Sequence, residues 1–323
     1  MKKILFSKTG GPEVLELVDA ELQPPAAGEV RIRHTAIGLN YIDTYYRSGL
    51  YPTPMPSGLG NEAAGVIEAL GQGVKSFKVG DRVAYGSGPL GAYSEARNFP
   101  ANRLVKLPKA ISDETAAAMM LKGMTVRYLL RATYKVKRGQ TVLFHAAAGG
   151  VGLIFSQWAK ALGVKVIGTV GSPEKMEIAY AHGCTHVINN RTEDVAARVR
   201  EITGGKGVPV VYDGVGQATL QGSLDSLCVR GLLVSFGNAS GPIKDFQVGQ
   251  LAAKGSLYMT RPTLFSYIIT DEEFQETAGD VIEIVKSGKV KIPINQRYKL
   301  ADVAKAHRDL ESGKTTGSTV ITL

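Results

Sequence analysis

The chain has 323 residues, of which 44% are hydrophobic and 21% charged, with a formal net charge of +9. That balance excludes a disordered chain, and two cysteines exclude both a disulfide framework and a four-cysteine zinc site. No apolar run approaches the ~20 residues of a membrane helix, and Ile4–Phe6 is too short for a signal peptide, so the expected compartment is the cytoplasm.

At ~150 residues per domain the length predicts two domains. Val30–Ile37, bounded by Pro24-Pro25 and Gly38, reads as a strand, and Ala63–Leu70 and Arg82–Tyr85 read as further short strands between glycine clusters. Ser112, Asp113 and Glu114 cap an alanine-rich helix running toward Met120. After Gly123 the rhythm changes to strand Thr141–His145, helix Gly150–Leu162, strand Val164–Val170 and a helix from Pro173 to Gly183. Strands His186–Ile188, Val208–Tyr212 and Leu232–Phe236 follow, with helical stretches at Thr192–Glu201 and Ala218–Leu227 between them. The chain turns helical again from Phe274 and ends on the β-prone run Ser318–Leu323. This alternation predicts an α/β protein with a doubly wound parallel-sheet domain over 124–262. The flanks, 1–123 plus 263–323, are expected to form one discontinuous β-rich domain, with a ligand cleft between the domains.

The central chemical signal is Ala147-Ala148-Gly149-Gly150-Val151-Gly152, a dinucleotide fingerprint with alanine in the first glycine position. It follows a strand and opens a helix, the context in which small residues and free helix N–H groups bind a pyrophosphate. An acid that would hold the ribose hydroxyls of NADH is missing from the end of the second strand, Ile167–Ser172. Ser172 and Lys175 stand there instead and suit a 2′-phosphate, so NADPH is expected over NADH. Glu174 fits the electrostatics of a first helical turn.

The segments GGPEVL (Gly10–Leu15), AIGLNYIDTYYRSGLYP (Ala36–Pro52), PSGLGNEAAGVI (Pro56–Ile67), KGMTVRYLL (Lys122–Leu130), HAAAGGVG (His145–Gly152), VVYDGVG (Val210–Gly216) and VSFGNASG (Val234–Gly241) carry a more specific signal. Through them the whole chain resembles the zinc-independent medium-chain dehydrogenases/reductases, specifically the quinone oxidoreductase, zeta-crystallin-like family in its bacterial branch. The resemblance implies a GroES-like β-rich domain plus a Rossmann domain, and metal-free transfer of reducing equivalents from NADPH to a small quinone. Asn40 and Asn61 stand where zinc-dependent relatives place Cys and His, and neither is a good zinc ligand. A second grouping, His182, Cys184 and His186, straddles a helix end and a strand start, so its side chains are expected to diverge.

The same resemblance assigns candidate residues. Asn40 would approach the nicotinamide, Tyr45 and Tyr51 would line the quinone pocket, Asp43 would orient its neighbours, and Thr125 would lie at the domain junction. Tyr41 and Tyr46 read instead as core or surface residues. Around the cofactor stand Tyr128 and the turn residues Gly149, Gly150, Val151 and Gly152. Gly171, Ser172 and Lys175 would surround the adenosine phosphate, while Phe236, Asn238 and Ser240 would lead toward the nicotinamide. Arg261 and Lys314 would add positive charge, and Asn190 replaces a tyrosine that relatives place beside the adenosine. Two other readings stand beside quinone reduction. One is NADPH-dependent reduction of an enone or alkenal double bond. The other is RNA binding, which the positive charge permits but no arginine–aromatic motif supports. A homodimer is expected through the edge strand at Gly255–Thr260.

Overall fold

Alternating burial explains the N-terminal strands of the computed structural model, which describes residues 1–323. In chain order these are β1 (Lys2–Phe6), β2 (Glu16–Asp19), β3 (Glu29–Leu39), β4 (Ser57–Gly58), β5 (Glu62–Leu70), β6 (Arg82–Tyr85), β7 (Ala96–Pro100) and β8 (Val105–Lys106). Along β3, Val30, Ile32, His34 and Ala36 are buried while the intervening residues are partly exposed, the period-two pattern of a half-covered strand. Between β3 and β4 lies α1 (Tyr41–Ser48), which the sequence reading took only as an aromatic-rich loop. Its start and stop are nevertheless local: Asn40 and Asp43 close a capping box, and Gly49 ends the helix at φ 83°.

α2 (Asp113–Tyr128) runs past Met120 and Gly123, where the sequence reading ended it, and is followed by a π-helical turn, Leu129–Thr133. Then come β9 (Thr141–Phe144), α3 (Gly150–Ala161), β10 (Lys165–Val170), α4 (Pro173–Ala181), β11 (His186–Asn189), α5 (Val195–Ile202), β12 (Val208–Asp213), α6 (Leu220–Ser226), β13 (Leu227–Ser235), α7 (Gly249–Ala253) and β14 (Tyr258–Thr260). The chain closes with α8 (Asp271–Lys286), β15 (Ile294–Lys299), α9 (Val303–Glu311) and β16 (Ser318–Thr322). Gly123 lies inside α2 for a packing reason, since a Cβ there would fall 2.6 Å from Val281 Cγ1 on α8.

The elements divide into two units. One comprises Met1–Met124, Ile268–Lys286 and Ile292–Leu323; the other comprises Thr125–Tyr267 and Ser287–Lys291. In the first, a sheet runs β15-β16-β3-β5-β6-β8, with β7 also paired to β3, and a small sheet runs β2-β1-β4. β16 pairs antiparallel with β3 and parallel with β15, so the last strand of the sequence is an interior strand of its sheet. Its core gathers Phe6, Val30, Ile32, Leu59, Ile67, Val83, Phe99 and Ile321. In the second unit all six strands are parallel in the order β11-β10-β9-β12-β13-β14. That is the doubly wound dinucleotide-binding arrangement, with the strand order reversing beside β9. Leu143, Ile167, Ile188, Val211, Leu224 and Leu233 fill its core. No helix is long and apolar enough to cross a membrane.

Candidate active site

In the second unit the chain leaves β9, passes Ala146 in the left-handed region (φ 56°), and enters α3 from an extended Gly149. Ala147 N donates to Thr169 O at 2.9 Å, which ties the turn to β10. A Cβ on Gly152 would lie 2.6 Å from Ala147 O and 2.7 Å from Ala146 O, so only glycine lets α3 begin so close to the turn. The first-turn N–H groups of Gly150, Val151 and Gly152 have no intrahelical acceptor. With the positive end of the helix dipole they fit a pyrophosphate.

A buried network braces this turn. Asp213, at the end of β12, accepts from Val215 N (2.8 Å), Gly216 N (3.0 Å), Thr219 Oγ1 (2.7 Å) and Ser223 Oγ (2.7 Å). Ser223 Oγ also meets His145 Nε2 at 2.9 Å, and His145 Nδ1 meets Thr169 Oγ1 at 2.9 Å. Burial pushes the His145 imidazole below its ordinary range, so it bridges the three strand ends as a neutral group.

At the end of β10, Ser172 is the N-cap residue of α4 and Pro173 its first residue. The Glu174 carboxyl is held below its usual range chiefly by a hydrogen bond from the Ser172 side chain. Burial, and then the charge of Arg191, lowers the ammonium of Lys175. A Cβ on Gly171 would lie 3.4 Å from Arg191 Nε and 3.7 Å from Asn190 Oδ1. Two cations therefore share one corner of the strand end, where an anion relieves their repulsion. Arg191 was missing from the sequence reading, which looked at β10 for the cofactor's charge partner and not at the neighbouring strand.

Phe236 packs its ring against Gly214 and stands 5.8 Å from the Phe144 ring. With its amide nitrogen turned to Gly237 O, Asn238 accepts from Arg261 Nη2 at 3.0 Å. Arg261 Nη1 also donates to Ser235 O at 2.9 Å, so this guanidinium braces the β13 end. Ser240 Oγ donates to Val215 O (2.9 Å) and accepts from Ala218 N (3.0 Å). Tyr128 is buried and stacked on Tyr267, ring centroids 4.6 Å apart and nearly coplanar, and Thr125 is buried as well. Lys314 is exposed and lies in the first unit, ahead of β16.

The remaining candidates gather in the first unit. Tyr51 contacts both Tyr45 (5.2 Å between centroids) and Tyr46 (5.7 Å), and Tyr41 contacts Tyr45 (5.7 Å), so four tyrosines form one cluster. Beside them, Asp43 accepts from Asn40 N (2.9 Å), Asn61 Nδ2 (3.0 Å) and Tyr93 Oη (2.8 Å). Burial raises the Asp43 carboxyl to about 6, against the pull of those three hydrogen bonds and of the Lys122 charge. Tyr93 Oη also meets His307 Nε2 at 3.1 Å, and Arg47 Nη1 donates to His307 Nδ1 at 3.1 Å. Arg47 itself forks onto Glu311 at 2.9 and 2.6 Å. Because an arginine only donates, its bond fixes the polarity of the chain: His307 Nδ1 accepts, Nε2–H donates to Tyr93, and Tyr93 donates to Asp43. Glu62, also buried, accepts from Asn40 Nδ2 (2.7 Å), Leu121 N (2.9 Å) and Lys122 Nζ (3.4 Å).

This donor set does not fit zinc. Asn40 and Asn61 offer amides in place of thiolate and imidazole, and the Lys122 ammonium already supplies a cation to Glu62. At the other grouping, His182 Nδ1 bonds Ile178 O and Cys184 Sγ meets Ser156 Oγ at 3.2 Å. No three His, Cys, Asp or Glu side chains are placed to hold a metal ion.

Residues 26–109 match the alcohol dehydrogenase GroES-like domain, and residues 150–283 match the zinc-binding dehydrogenase family. A quinone oxidoreductase of Pseudomonas aeruginosa is 57% identical over 321 residues, covering 99% of each chain. The chain belongs to the quinone oxidoreductase family of medium-chain dehydrogenases/reductases. The family's structure from Escherichia coli, solved in complex with NADPH, superposes with a TM-score of 0.98 at 52% identity over the full length of both chains. Within the same range lies a 2-haloacrylate reductase of a Burkholderia species, 46% identical over 98% of this chain and 97% of its own.

Proposed function

We propose that this chain is an NADPH-dependent reductase of small quinones. The observation that carries the reading is the phosphate corner of the second unit, where Lys175 and Arg191 stand near Ser172 and no acid ends β10. The quinone oxidoreductase relatives and the NADPH-bound neighbour support it. When bound, NADPH supplies a hydride. Gly150, Val151 and Gly152 present N–H groups to the pyrophosphate, and Ser172, Lys175 and Arg191 hold the 2′-phosphate. Asn190 offers the adenosine an amide edge in place of a ring. Phe236, Asn238 and Ser240 continue from the β13 end toward the nicotinamide, with Arg261 bracing Asn238, and Tyr128 and Thr125 lie on the nicotinamide side. Lys314 contributes positive charge from the first unit.

Asn40 approaches the nicotinamide, and Tyr45 and Tyr51 form the aromatic wall for the quinone. A phenol hydroxyl there hydrogen-bonds a quinone oxygen, while solvent supplies the product's proton. Catalysis then rests on proximity and orientation. The 2-haloacrylate reductase relative favours a second reading, reduction of an activated double bond with the same cofactor. Following nicotinamide absorbance with NADPH or NADH against benzoquinone and a simple enone separates the two. Loss of NADPH with quinone supports the first, loss only with enone supports the second, and faster use of NADH contradicts the cofactor assignment.

The same reading includes a homodimer. β14 is a sheet edge, and Tyr258 on it is 61% exposed, beside exposed Val229 and Val248. Light scattering at micromolar concentration tests it, and a monomer mass contradicts it.

A further inference from the structure

The two buried carboxylates of the first unit treat the two asparagines alike. A carboxylate only accepts hydrogen bonds, so Glu62 draws in the amide nitrogen of Asn40, and Asp43 draws in that of Asn61. Both amide hydrogens of Asn40 are engaged inward, by Glu62 Oε2 at 2.7 Å and by Gly38 O at 3.5 Å. Its Oδ1 is turned the other way, into the capping box of α1, with a second lone pair remaining. Asn61 Oδ1 is buried and has no hydrogen-bond partner at all, an acceptor left waiting for a donor.

Glu62 is in turn immobilised from three sides. Leu121 N donates to its Oε1 and Lys122 Nζ to its Oε2. Gly38 leaves room for it, since a Cβ there would fall 2.4 Å from Oε2. Lys122 Nζ also donates to Leu39 O at 3.1 Å, the carbonyl just ahead of Asn40. One ammonium thus neutralises the buried carboxylate and anchors the backbone that carries the amide. Neither charge is exposed, with side-chain accessibilities of 7% for Lys122 and 0% for Glu62. A buried ion pair is seldom a net source of stability, so its retention points to a positioning task.

We propose that Glu62 and Lys122 are positioning residues that lock the Asn40 amide with its carbonyl oxygen outward, and that this oxygen orients the nicotinamide carboxamide by accepting its N–H. The proposal rests on the reading that Asn40 meets the nicotinamide. It assigns Glu62 no contact with cofactor or substrate.

The test is a compensation cycle on the full-length enzyme. Asn40→Asp, Glu62→Gln and the double variant are compared by single-turnover loss of NADPH absorbance with benzoquinone, by NADPH affinity from fluorescence, and by melting temperature. Each single change slows the turnover by about tenfold or more through misplacement of the ring, with a much smaller change in NADPH affinity. The double variant restores one amide facing one carboxylate and keeps an outward oxygen at position 40, so its rate returns to within about threefold of the parent. A Glu62→Gln enzyme that melts lower but turns over at the parent rate overturns the proposal, as does a double variant no faster than the singles. Asn40→Ala separates the underlying reading. If it leaves rate and affinity unchanged, Asn40 does not meet the cofactor and both fall. If it slows turnover while Glu62→Gln and Lys122→Met do not, only the positioning role falls. Should the single variants fail to fold, the double variant against Asn40→Ala still decides.

Discussion

The phenol of Tyr93 joins Asp43 to His307, donating to Asp43 Oδ2 at 2.8 Å and meeting His307 Nε2 at 3.1 Å. One titrating group is held above its ordinary range and the other below, and their effects on stability have opposite signs. Burial lowers His307 and His34 from 6.5 to about 3, so the unfolded chain binds those protons first as the pH drops. Their contribution is complete above 6.5 and is lost toward 3. Asp43 is raised from 3.8 to about 6, so its contribution is complete below 3.8 and is lost as the pH rises through 6. Between pH 6 and 4 the three groups together cost about one proton, roughly 1.4 kcal/mol per pH unit, and below 4 about twice that. Urea unfolding across this range is expected to show Asp43→Asn steepening the upper limb and His307→Gln flattening both. Parallel lines for all three proteins would contradict the assignment.

The phosphate corner makes a cofactor-specific prediction. Lys175→Ala and Arg191→Ala each weaken NADPH by about 10–100-fold, the worth of a charge-assisted hydrogen bond, while NADH changes by less than about twofold. Calorimetric titration with both nucleotides reads this directly. Equal losses for the two would place the side chains elsewhere on the cofactor.

For the tyrosine cluster, Tyr51→Phe and Tyr45→Phe keep the ring contacts and remove only the hydroxyls. Loss of a hydrogen bond to the quinone lowers kcat/KM by about tenfold for at least one of them, with little change in melting temperature. Unchanged steady-state kinetics for both would remove the hydroxyls from the chemistry and leave the rings as a wall.

Gly152→Ala puts a methyl 2.6 Å from Ala147 O, so the turn must open. The shift costs about 1–3 kcal/mol and displaces the N–H groups, so NADPH binding weakens by at least about tenfold while the fold persists. Circular dichroism alongside nucleotide titration separates the two effects.

Much of the second unit was legible because its order is local. Strands of four to six apolar residues, a glycine turn and closing glycines lie next to each other in the chain, and all six strands found their places. In the first unit, α1 was read as a loop because its four tyrosines spread over positions 41–51 obscured the helical period, although Asn40, Asp43 and Gly49 marked both ends. α2 was cut short because Gly123 looks like a stop, and only the proximity of Val281 shows why it is not. β15 and α9 were missed for lack of strong periodic signals. At the site, Asn40, Asp43, Tyr45 and Tyr51 could be named from one segment, whereas Arg47, Tyr93 and His307 could not. Their partnerships span up to 264 residues of sequence, and no spacing rule reports a contact made by folding. Arg191 escaped for a milder reason, since it follows the strand beside the one where the fingerprint directs attention.

The interior place of β16 bears on how the protein is made. The second unit is nearly continuous in the chain, so its six parallel strands have all left the ribosome while α8, β15, α9 and β16 are still to come. The neighbouring sheet cannot close until the final strand slots between β15 and β3. During synthesis the Tyr45–Tyr51 cluster and the Asp43 network therefore wait on the last two dozen codons, which supply both His307 and the strand that locks β3. A frameshift or stop near the 3′ end of the message would leave a nucleotide-binding half able to fold, beside a half that is not.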